Sequence, residues 1–408
     1  MHKIERLLQT LAPEGVEFRK LGEVCEILDN RRIPIAKNKR NPGIYPYYGA
    51  NGIQDYIDSY IFDGDFVLVG EDGSVINKDN TPVVNWASGK IWVNNHAHVL
   101  QTKNELKLKF LYFYLQTIDV SYCVAGTPPK INQENLKKIT IPIPPLEIQQ
   151  EIVKILDAFT ELNTELNTEL KARKKQYEYY QNMLLDFKDT NQNHKDAKMS
   201  AKPYPKRLKS LLQTLAPKGV EFRKLGELLE YDQPNKYCVT SKEFDESYPT
   251  PVLTAGKTFI LGYTNEKDNI YQASKSSPVI IFDDFTTATQ WVDFPFKVKS
   301  SAMKILLPKN PTINIRFIFF YMQTIPYNIS GEHTRQWISR YSQITIPIPP
   351  LEIQQEIVKI LDQFSTLTTD LLAGIPAEIE ARKKQYEYYR EKLLAFKPLT
   401  PHKEVKKC

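Results

Sequence analysis

Two pairs of side chains in this chain have the types and the spacing to do chemistry. His96 and His98, in the segment NNHAH, lie two residues apart on a predicted strand, so they face the same side, where two imidazoles can bind a metal. A lone HxH pair is a weak signal, and we expect a structural role for it. Asp283 and Asp284 are adjacent acids, but no ExK follows them, so the sequence does not support a nuclease metal site. We therefore predict no metal site in this chain.

Motifs for nucleotide and cofactor chemistry do not occur in the sequence. It contains no GxGxxG and no GxxxxGK[ST] phosphate loop, and it lacks the Asn/Asp-Pro-Pro-Tyr/Phe segment expected of an amino-methyltransferase. The cysteines are scattered without a CxxC pair, at Cys25, Cys123, Cys238 and Cys408, which argues against a zinc site or a disulfide framework. We therefore predict a non-catalytic chain with no cofactor of its own.

The charge of the chain permits a nucleic-acid partner without requiring one. Lys and Arg number 54 against 48 for Asp and Glu, a net charge of +6. Candidate DNA contacts in the first half are Arg31, Arg32, Lys37, Lys39, Arg40, Ser74, Asn94, Asn95 and, in the loop GTPPK, Lys130. Candidates in the second half are Lys257, Thr286, Thr287, Thr289, Gln290 and, in the loop GEHTRQW, Arg335 and Gln336. Taken singly, each has an alternative as a solvated surface residue.

The elements that must position these residues form an internal repeat. Three long segments occur twice, nearly unchanged and in the same order: LLQTLAPEGVEFRKLGE from Leu7 and again from Leu211, ITIPIPPLEIQQEIVKILD from Ile139 and Ile344, and ARKKQYEYY from Ala172 and Ala381. The offsets are 204, 205 and 209 residues. The chain is therefore a tandem duplication with a period far too long for a solenoid.

The segments between these identities differ. Residues 29–104 and 231–308 share only fragments, which predicts one scaffold that carries two different sets of loops. Because recognition residues concentrate on loops held by a rigid scaffold, we expect the two copies to do the same work on different targets. Lys130 and Arg335 lie 205 positions apart, and a basic residue present in both copies suits a phosphate contact.

Each globular half has a mixed pattern. Short β-type runs such as Phe66–Gly70 and Val279–Phe282 alternate with turn residues, and amphipathic stretches open and close each half, so we predict an α/β or α+β class. TIPIPPL ends each half, and its prolines exclude a helix or a central strand, which predicts an extended connector.

A long helix is predicted after each connector. Apolar residues recur at steps of three and four from Ile148 to Phe187 and from Ile353 to Phe396, and the second run has one extra step of four. About 40 helical residues span roughly 60 Å. Two such seams in one duplicated chain predict an antiparallel coiled coil. The alternative is that each helix packs on a separate partner. Gly374 and Pro376 predict a kink or an interruption in the second helix.

These patterns predict six segments. They are a first globular domain at 1–147, a helix at 148–188, a linker at 189–206, a second globular domain at 207–352, a second helix at 353–397 and a tail at 398–408.

The duplication, IPIPPLEIQQEIVKILD and ARKKQYEYY resemble the specificity subunit of type I restriction-modification systems over nearly the whole chain. The resemblance implies that each domain reads one half of a bipartite double-stranded DNA site. It implies that the helices set the gap and dock two methyltransferase subunits, and that restriction/translocase subunits complete the enzyme. S-adenosylmethionine, ATP and Mg would then act on those partner subunits. The Gly374–Pro376 segment departs from a straight second helix.

Two alternatives to this interpretation stay open. A coiled-coil scaffold without DNA readout explains the helices but not the different loops on matched frames. A stand-alone nuclease or methyltransferase conflicts with the absent motifs. No signal peptide and no apolar run of about 20 residues occur, so we expect a cytoplasmic protein without a membrane partner.

Overall fold

A computed structural model describes residues 2–73, 75–187, 204–254, 259–326, 335–369 and 374–399. The chain forms two compact units, and both of their boundaries in the sequence fall within helices. Unit 1 comprises 1–167 and 378–408, and unit 2 comprises 168–377. The mixed α+β class predicted for each half is confirmed.

Unit 1 contains a six-stranded sheet in the order β2-β7-β5-β6-β3-β4 and a two-stranded ribbon of β1 and β8. Its strands are β1 Glu17–Lys20, β2 Cys25–Ile27, β3 Pro42–Gly49, β4 Gly52–Ile57, β5 Phe62–Gly70, β6 Val84–Val93, β7 Ala97–Thr102 and β8 Thr140–Ile143. Its shorter helices are α1 His2–Leu11, α2 Leu21–Val24, α3 Leu108–Leu115 and α4 Gln133–Lys138.

The second half of the central strand β5, Phe66–Gly70, is apolar without interruption because both of its faces are buried. Val67 and Val69 belong to the cluster that includes α3, whereas Phe66 and Leu68 belong to a second cluster on the other face. This is the two-residue periodicity of a strand covered on both sides.

Unit 2 contains a four-stranded sheet in the order β10-β16-β13-β14, a three-stranded sheet in the order β12-β11-β15 and a ribbon of β9 and β17. Its strands are β9 Glu221–Lys224, β10 Leu229–Asp232, β11 Thr250–Leu253, β12 Ile260–Thr264, β13 Val279–Asp283, β14 Thr289–Val292, β15 Lys297–Val298, β16 Met303–Pro308 and β17 Thr345–Ile348. Its shorter helices are α6 Lys206–Leu215, α7 Leu225–Leu228, α8 Ile315–Met322 and α9 Gln336–Ser339.

The TIPIPPL segments are strands as well as connectors. Their first residues form β8 and β17, which pair antiparallel with β1 and β9. Pro142 faces Phe18 in the first ribbon. Proline is tolerated there because a two-stranded ribbon has only edge strands, so the missing N–H breaks no central ladder.

The long helix α5, Leu146–Leu185, has 40 residues and contributes to both units. It begins two residues before the predicted start, because the apolar seam begins at Ile148 whereas the carbonyl of Pro145 already accepts the N–H groups of Ile148 and Gln149. It ends before the predicted 188, since Asp186 and Phe187 are outside the helix.

The second long segment consists of two helices, α10 Leu351–Thr369 and α11 Ile375–Leu394, rather than one helix over 353–397. Gly374 lies in a bend, and Pro376 lies in the first turn of α11, where no intrahelical donor is needed. Residues 370–373 lie outside the described residues, as do 189–203 of the predicted linker and 400–408 of the predicted tail.

The long helices pack on each other within each unit. In unit 1, Phe159 of α5 contacts Tyr386 and Tyr389 of α11. Leu393, farther along α11, lies in the same core cluster as Ile148 at the start of α5, so the pair is antiparallel. In unit 2, Tyr180 of α5 stacks on Phe364 of α10, with ring centroids 5.0 Å apart.

Within the described part of the chain, no helix is both long and apolar enough to span a membrane.

Candidate nucleic-acid interface

The basic run of unit 1 lies on the surface between β2 and β3. Arg31 is exposed, and its guanidinium lies 4.8 Å from the ring centroid of Phe62. Arg40 is held more firmly, since it lies 4.1 Å from the ring centroid of Tyr47 and donates from Nε to the carbonyl of Ile35 at 3.0 Å. Stacking of this kind orients a guanidinium at a small cost in side-chain entropy.

Lys37 and Lys39 occupy a single 3₁₀ turn, Lys37–Lys39, and both are exposed. Together with Arg31, they present positive charge from one connection of unit 1. This arrangement suits phosphate contacts, because an ammonium group on a flexible stem acts as a point charge.

Arg32 is turned inward, which argues against the predicted DNA contact of its side chain. Its guanidinium lies 2.6 Å from Glu71 Oε2 and 2.8 Å from the carbonyl oxygen of Ala97, and its side chain is 11% exposed. A guanidinium with these internal acceptors ties loops together and has little left to offer a ligand.

The burial of Asn94 likewise argues against its predicted contact with DNA. Its Oδ1 accepts the N–H of His96 at 2.8 Å, and its amide donates to Gln54 at 3.3 Å. The neighbouring Asn95 is exposed and stays a candidate, whereas Ser74 lies outside the described residues.

The two histidines have different surroundings. His96 is exposed and its Nδ1 contacts Asp72. His98 is fully buried, with Nδ1 2.6 Å from Asp29 Oδ2 and Nε2 2.8 Å from the carbonyl oxygen of Ile131. Both partners of His98 carry acceptor oxygens, so its two ring nitrogens are both occupied within the domain. His96 precedes β7 and is exposed whereas His98 is buried within β7, so the expectation that both histidines face the same side of a strand was wrong.

Asp29, Glu71 and His98 form a cluster whose ligand-type atoms lie within 4.8 Å of one another. The carboxylate of Glu71 is already paired with the cations of Arg32, at 2.6 Å, and Lys130, at 3.0 Å. Burial by itself raises the pKa of Asp29, but the hydrogen bond and charge of His98, followed by the charge of Arg32, outweigh it and hold that pKa below its ordinary value. Because the cations of Arg32 and Lys130 already balance the carboxylate of Glu71, we interpret the cluster as an ion-pair network rather than a metal site.

The loop GTPPK brings Lys130 to this network. Its ammonium is about half exposed and lies 3.0 Å from Glu71 Oε1, and its backbone exchanges two hydrogen bonds with Ala125. The N–H of Gly73 donates to the carbonyl oxygen of Pro129 at 3.1 Å. The structure therefore brings together the GTPPK loop and the turn after β5, which the sequence analysis chose separately.

In unit 2, the turn between β13 and β14 is organised by Asp283. Its carboxylate accepts the hydroxyl of Thr286 at 2.6 Å and the N–H of Phe285 at 2.9 Å. Thr287 has a φ of 61°. Thr286 and Gln290 are exposed and Thr289 is half-buried, so the turn presents its polar residues outward.

Arg335 is exposed immediately before α9. Gln336 is 1% exposed, which argues against the predicted contact of its side chain with DNA. Its N–H donates to the carbonyl oxygen of Asp284 at 2.9 Å, which anchors the loop from inside. Lys257 and residues 331–334 of the GEHTRQW loop lie outside the described residues.

Sequence reasoning missed the buried ionic residues beside these loops. Lys304 in β16 is 1% exposed and contacts Gln233 and Asp284, and Glu71 in unit 1 has the place that Asp284 has in unit 2. A usable signal was present, since Lys304 and His98 each interrupt an otherwise apolar strand.

Comparison with known proteins agrees with this architecture. The family model described as the type I restriction modification DNA specificity domain matches residues 13–175 and again 217–381.

Two relatives are similar in sequence. A putative type I restriction enzyme specificity subunit of Haemophilus influenzae is 35% identical over 410 residues, which cover 96% of this chain and 98% of the relative. The specificity subunit of the Escherichia coli type I restriction enzyme EcoR124I/EcoR124II is 55% identical over 188 residues, 44% of this chain and 45% of the relative.

The crystal structure of a type I restriction-modification S subunit from M. genitalium has a similar fold, with a TM-score of 0.66 at 18% identity, over 93% of this chain and 96% of that one. Since the family model covers both halves and one relative matches over nearly its full length, this chain belongs to the type I restriction-modification DNA specificity family.

Proposed function

We propose that this chain is the recognition subunit that gives a type I restriction-modification enzyme its DNA sequence, and that each globular domain reads one half of a bipartite duplex site. The observation that carries the proposal is the pair of equivalent basic residues, Lys130 and Arg335. Both are exposed on a loop that is anchored from inside by the turn after a central strand, β5 or β13. The repeated segments around these two residues are nearly identical between the copies, whereas the loops between those segments differ.

The candidates divide by chemistry. Lys37, Lys39, Lys130 and Arg335 suit phosphate oxygens, which position a protein on the duplex without reading it. Asn95, Thr286 and Gln290 have donors and acceptors that suit base edges. Two different loop sets on one frame would then read two different half-sites.

The long helices have a separate role in this proposal. α5 displays a groove of about 330 Å³ in unit 1, lined by Ile155, Ala158, Phe159 and Leu162 along with Glu151 and Lys154. An apolar groove on a helix suits a protein partner. We assign it to a methyltransferase subunit, one on each copy of the repeat, with restriction/translocase subunits completing the enzyme. S-adenosylmethionine, ATP and Mg would act on those partners, and this chain would supply no catalytic group.

The test is sequencing of methylated bases in host DNA, with and without the gene for this chain. We expect a motif of two short half-sites with a fixed gap that disappears with the gene and returns with it. A methylated motif that persists without the chain, or an undivided motif, would contradict bipartite readout. A coiled-coil scaffold would leave the methylated sequence unchanged.

The partner surface has its own test. Ala158 is exposed, so Ala158→Glu should leave folding intact while it places a charge in the groove. We expect it to weaken co-purification with the methyltransferase at least about tenfold, equivalent to about 1.4 kcal/mol. Glu161→Ala, at an exposed position one turn along, is the matched control. Equal co-purification of both variants would rule out this groove.

A further inference from the structure

The two units contain the same buried arrangement of polar side chains, built from different residues. In unit 2, Lys304 of β16 is 1% exposed. Its ammonium contacts Gln233 Oε1, and it lies 3.6 Å from Asp284 Oδ2. In unit 1, His98 of β7 is fully buried, and its Nδ1 lies 2.6 Å from Asp29 and 3.7 Å from Glu71.

Strand register shows that these residues are equivalent. His98 pairs with Val69, and Lys304 pairs with Phe282. In each unit the acidic residue follows two positions after that partner, as Glu71 or Asp284.

Strand register also makes a third pair of residues equivalent, Asp29 in unit 1 and Gln233 in unit 2. Leu100, two residues after His98, pairs with Ile27 of β2, and Leu306, two residues after Lys304, pairs with Tyr231 of β10. Asp29 and Gln233 each lie two residues beyond those edge-strand positions, 204 residues apart, which is the offset of the repeat. We call these two sets, Asp29–His98–Glu71 and Gln233–Lys304–Asp284, the buried junctions.

Each buried junction is bonded to the loop that carries the basic residue. The carbonyl of Glu71 accepts the N–H of Ile131 at 2.8 Å, and that of Asp284 accepts the N–H of Gln336 at 2.9 Å. These donors directly follow Lys130 and Arg335. The carboxylates add a second link, from Glu71 to the Lys130 ammonium at 3.0 Å and from Asp284 to the N–H of Trp337 at 2.8 Å.

Stability alone does not explain such an arrangement. Burial of a cation costs several kcal/mol, and a well-packed apolar residue in its place is often neutral or stabilising. Burial lowers the pKa of Lys304, although the charge of Asp284 opposes this shift. All three positions of the buried junction differ between the two copies, yet a buried side-chain nitrogen beside an acid is present in both. A residue-for-residue remnant of the duplication would not produce that result.

We infer that the buried junctions are positioning devices that set the place of each basic loop against DNA, and that they thereby determine how strictly each half-site is read. This inference rests on the proposed function, since it needs two half-sites read by two units. A loop held by a backbone bond and a charge at one point keeps its register on the duplex, and a loop released from that point accepts neighbouring sequences.

The first test removes one cation. Lys304→Met keeps most of the side-chain volume, and Lys218→Met, at an exposed position of the same unit, is the matched control. Each variant chain replaces the wild type in the assembled enzyme in its host, and methylated sites are sequenced. We expect Lys304→Met to raise methylation of sites with one mismatch in the unit 2 half-site at least about fivefold, since a mismatch normally weakens specific binding. Methylation of sites with one mismatch in the unit 1 half-site should not change. Lys304→Arg should keep methylation of mismatched unit 2 half-sites at the wild-type level.

The inference would be overturned if Lys304→Met methylated mismatched sites no more than wild type does at either half-site. It would also be overturned if methylation of mismatched sites rose equally at both half-sites. Equal relaxation is the signature of a generally loosened fold. The wild-type motif is measured first. A wild type without a bipartite motif refutes the proposed function, whereas a normal wild-type motif with an unaffected Lys304→Met refutes only the positioning role.

The second test uses unit 1 and applies even if Lys304→Met does not fold. Glu71→Gln, Lys130→Met and the double variant are compared in affinity for duplex DNA with the full-length chain in its assembled complex. If Glu71 acts by holding Lys130, each single variant weakens binding about three- to tenfold, and the double variant is no weaker than Lys130→Met. Multiplied losses in the double variant would show that Glu71 does not act through Lys130.

Discussion

Phe159 stacks on Tyr389 with ring centroids 5.6 Å apart and planes 28° from parallel. The contact joins the first part of α5 to α11 within unit 1, although the two residues are 230 positions apart in the sequence. It is the aromatic centre of a helix pair that encloses Ile152 and Leu156 on the α5 side.

Truncation of this contact should destabilise unit 1. We expect Tyr389→Ala to lower the free energy of unfolding by about 1–2 kcal/mol, because a half-buried aromatic pair and part of its buried area are lost. Tyr388→Ala, next to it and half exposed, is the control and should change stability by less than about 0.5 kcal/mol. Urea denaturation measures both. Equal losses would mean that the helix pair does not depend on this stack.

The buried glutamine in the first turn of α5 and of α10 should be a stability determinant. Gln354 is 1% exposed, and its Oε1 accepts the N–H of Asn314 at 2.9 Å while its Nε2 donates to the carbonyl oxygen of Pro349 at 2.7 Å. Gln149 makes the equivalent bonds in unit 1. We expect Gln354→Leu to cost about 2–4 kcal/mol, because buried backbone groups lose their partners. Gln355→Leu, on the exposed side, should be nearly neutral, and thermal unfolding compares the two.

Glu266 gives unit 2 a predicted acid sensitivity. Burial alone raises its pKa, but hydrogen bonds from Lys297, Ser241 and Thr240 outweigh it and lower the pKa from 4.5 to about 2. A depressed carboxyl pKa adds stability that is present in full above the unfolded value and is lost as the pH falls through the folded value. Glu266→Gln should therefore be less stable than wild type at pH 7. The difference should shrink as the pH falls from about 4.5 to about 2.

Chemical denaturation of both proteins at pH 7, 4 and 3 measures this difference. A gap between wild type and Glu266→Gln that does not change over this range would show that the carboxylate does not gain its stability from ionisation.

Arg335 should contribute to DNA affinity through charge. We expect Arg335→Ala to weaken binding to all sequences alike and to reduce the slope of log affinity against log salt by about 0.9, the value for one phosphate contact. Lys130→Ala should do the same from unit 1, whereas Lys218→Ala should leave the slope unchanged. Titrations at several salt concentrations give the slopes. An unchanged slope for Arg335→Ala would exclude its phosphate role.

The tetrapeptide repeat TELNTELNTEL in α5 should set the gap between half-sites. Deletion of Thr164–Asn167 removes about 6 Å of helix, equivalent to one or two base-pair steps of about 3.4 Å each. We expect methylated-base sequencing to show a shorter gap with both half-sites unchanged. An unaltered gap would refute the role of the helix as a ruler.

Much of this protein could be predicted from the sequence, because its strongest signals are local and repeated. The duplication, the mixed class of each half and the long helices follow from segment identity and apolar spacing, which depend on neighbours in the chain. The interruption near Pro376 was visible for the same reason, since a proline in a helix acts on its own turn.

The tertiary structure decided which polar residues are available. Arg31 and Arg32 are adjacent and chemically identical, yet one is exposed and the other is bonded to Glu71 inside unit 1. Arg335 is likewise exposed, whereas the adjacent Gln336 is buried. Burial and partner choice arise from residues distant in the chain, and no local pattern encodes them. The buried junctions are the clearest case, because strand register makes His98 and Lys304 equivalent where sequence identity between the copies has disappeared.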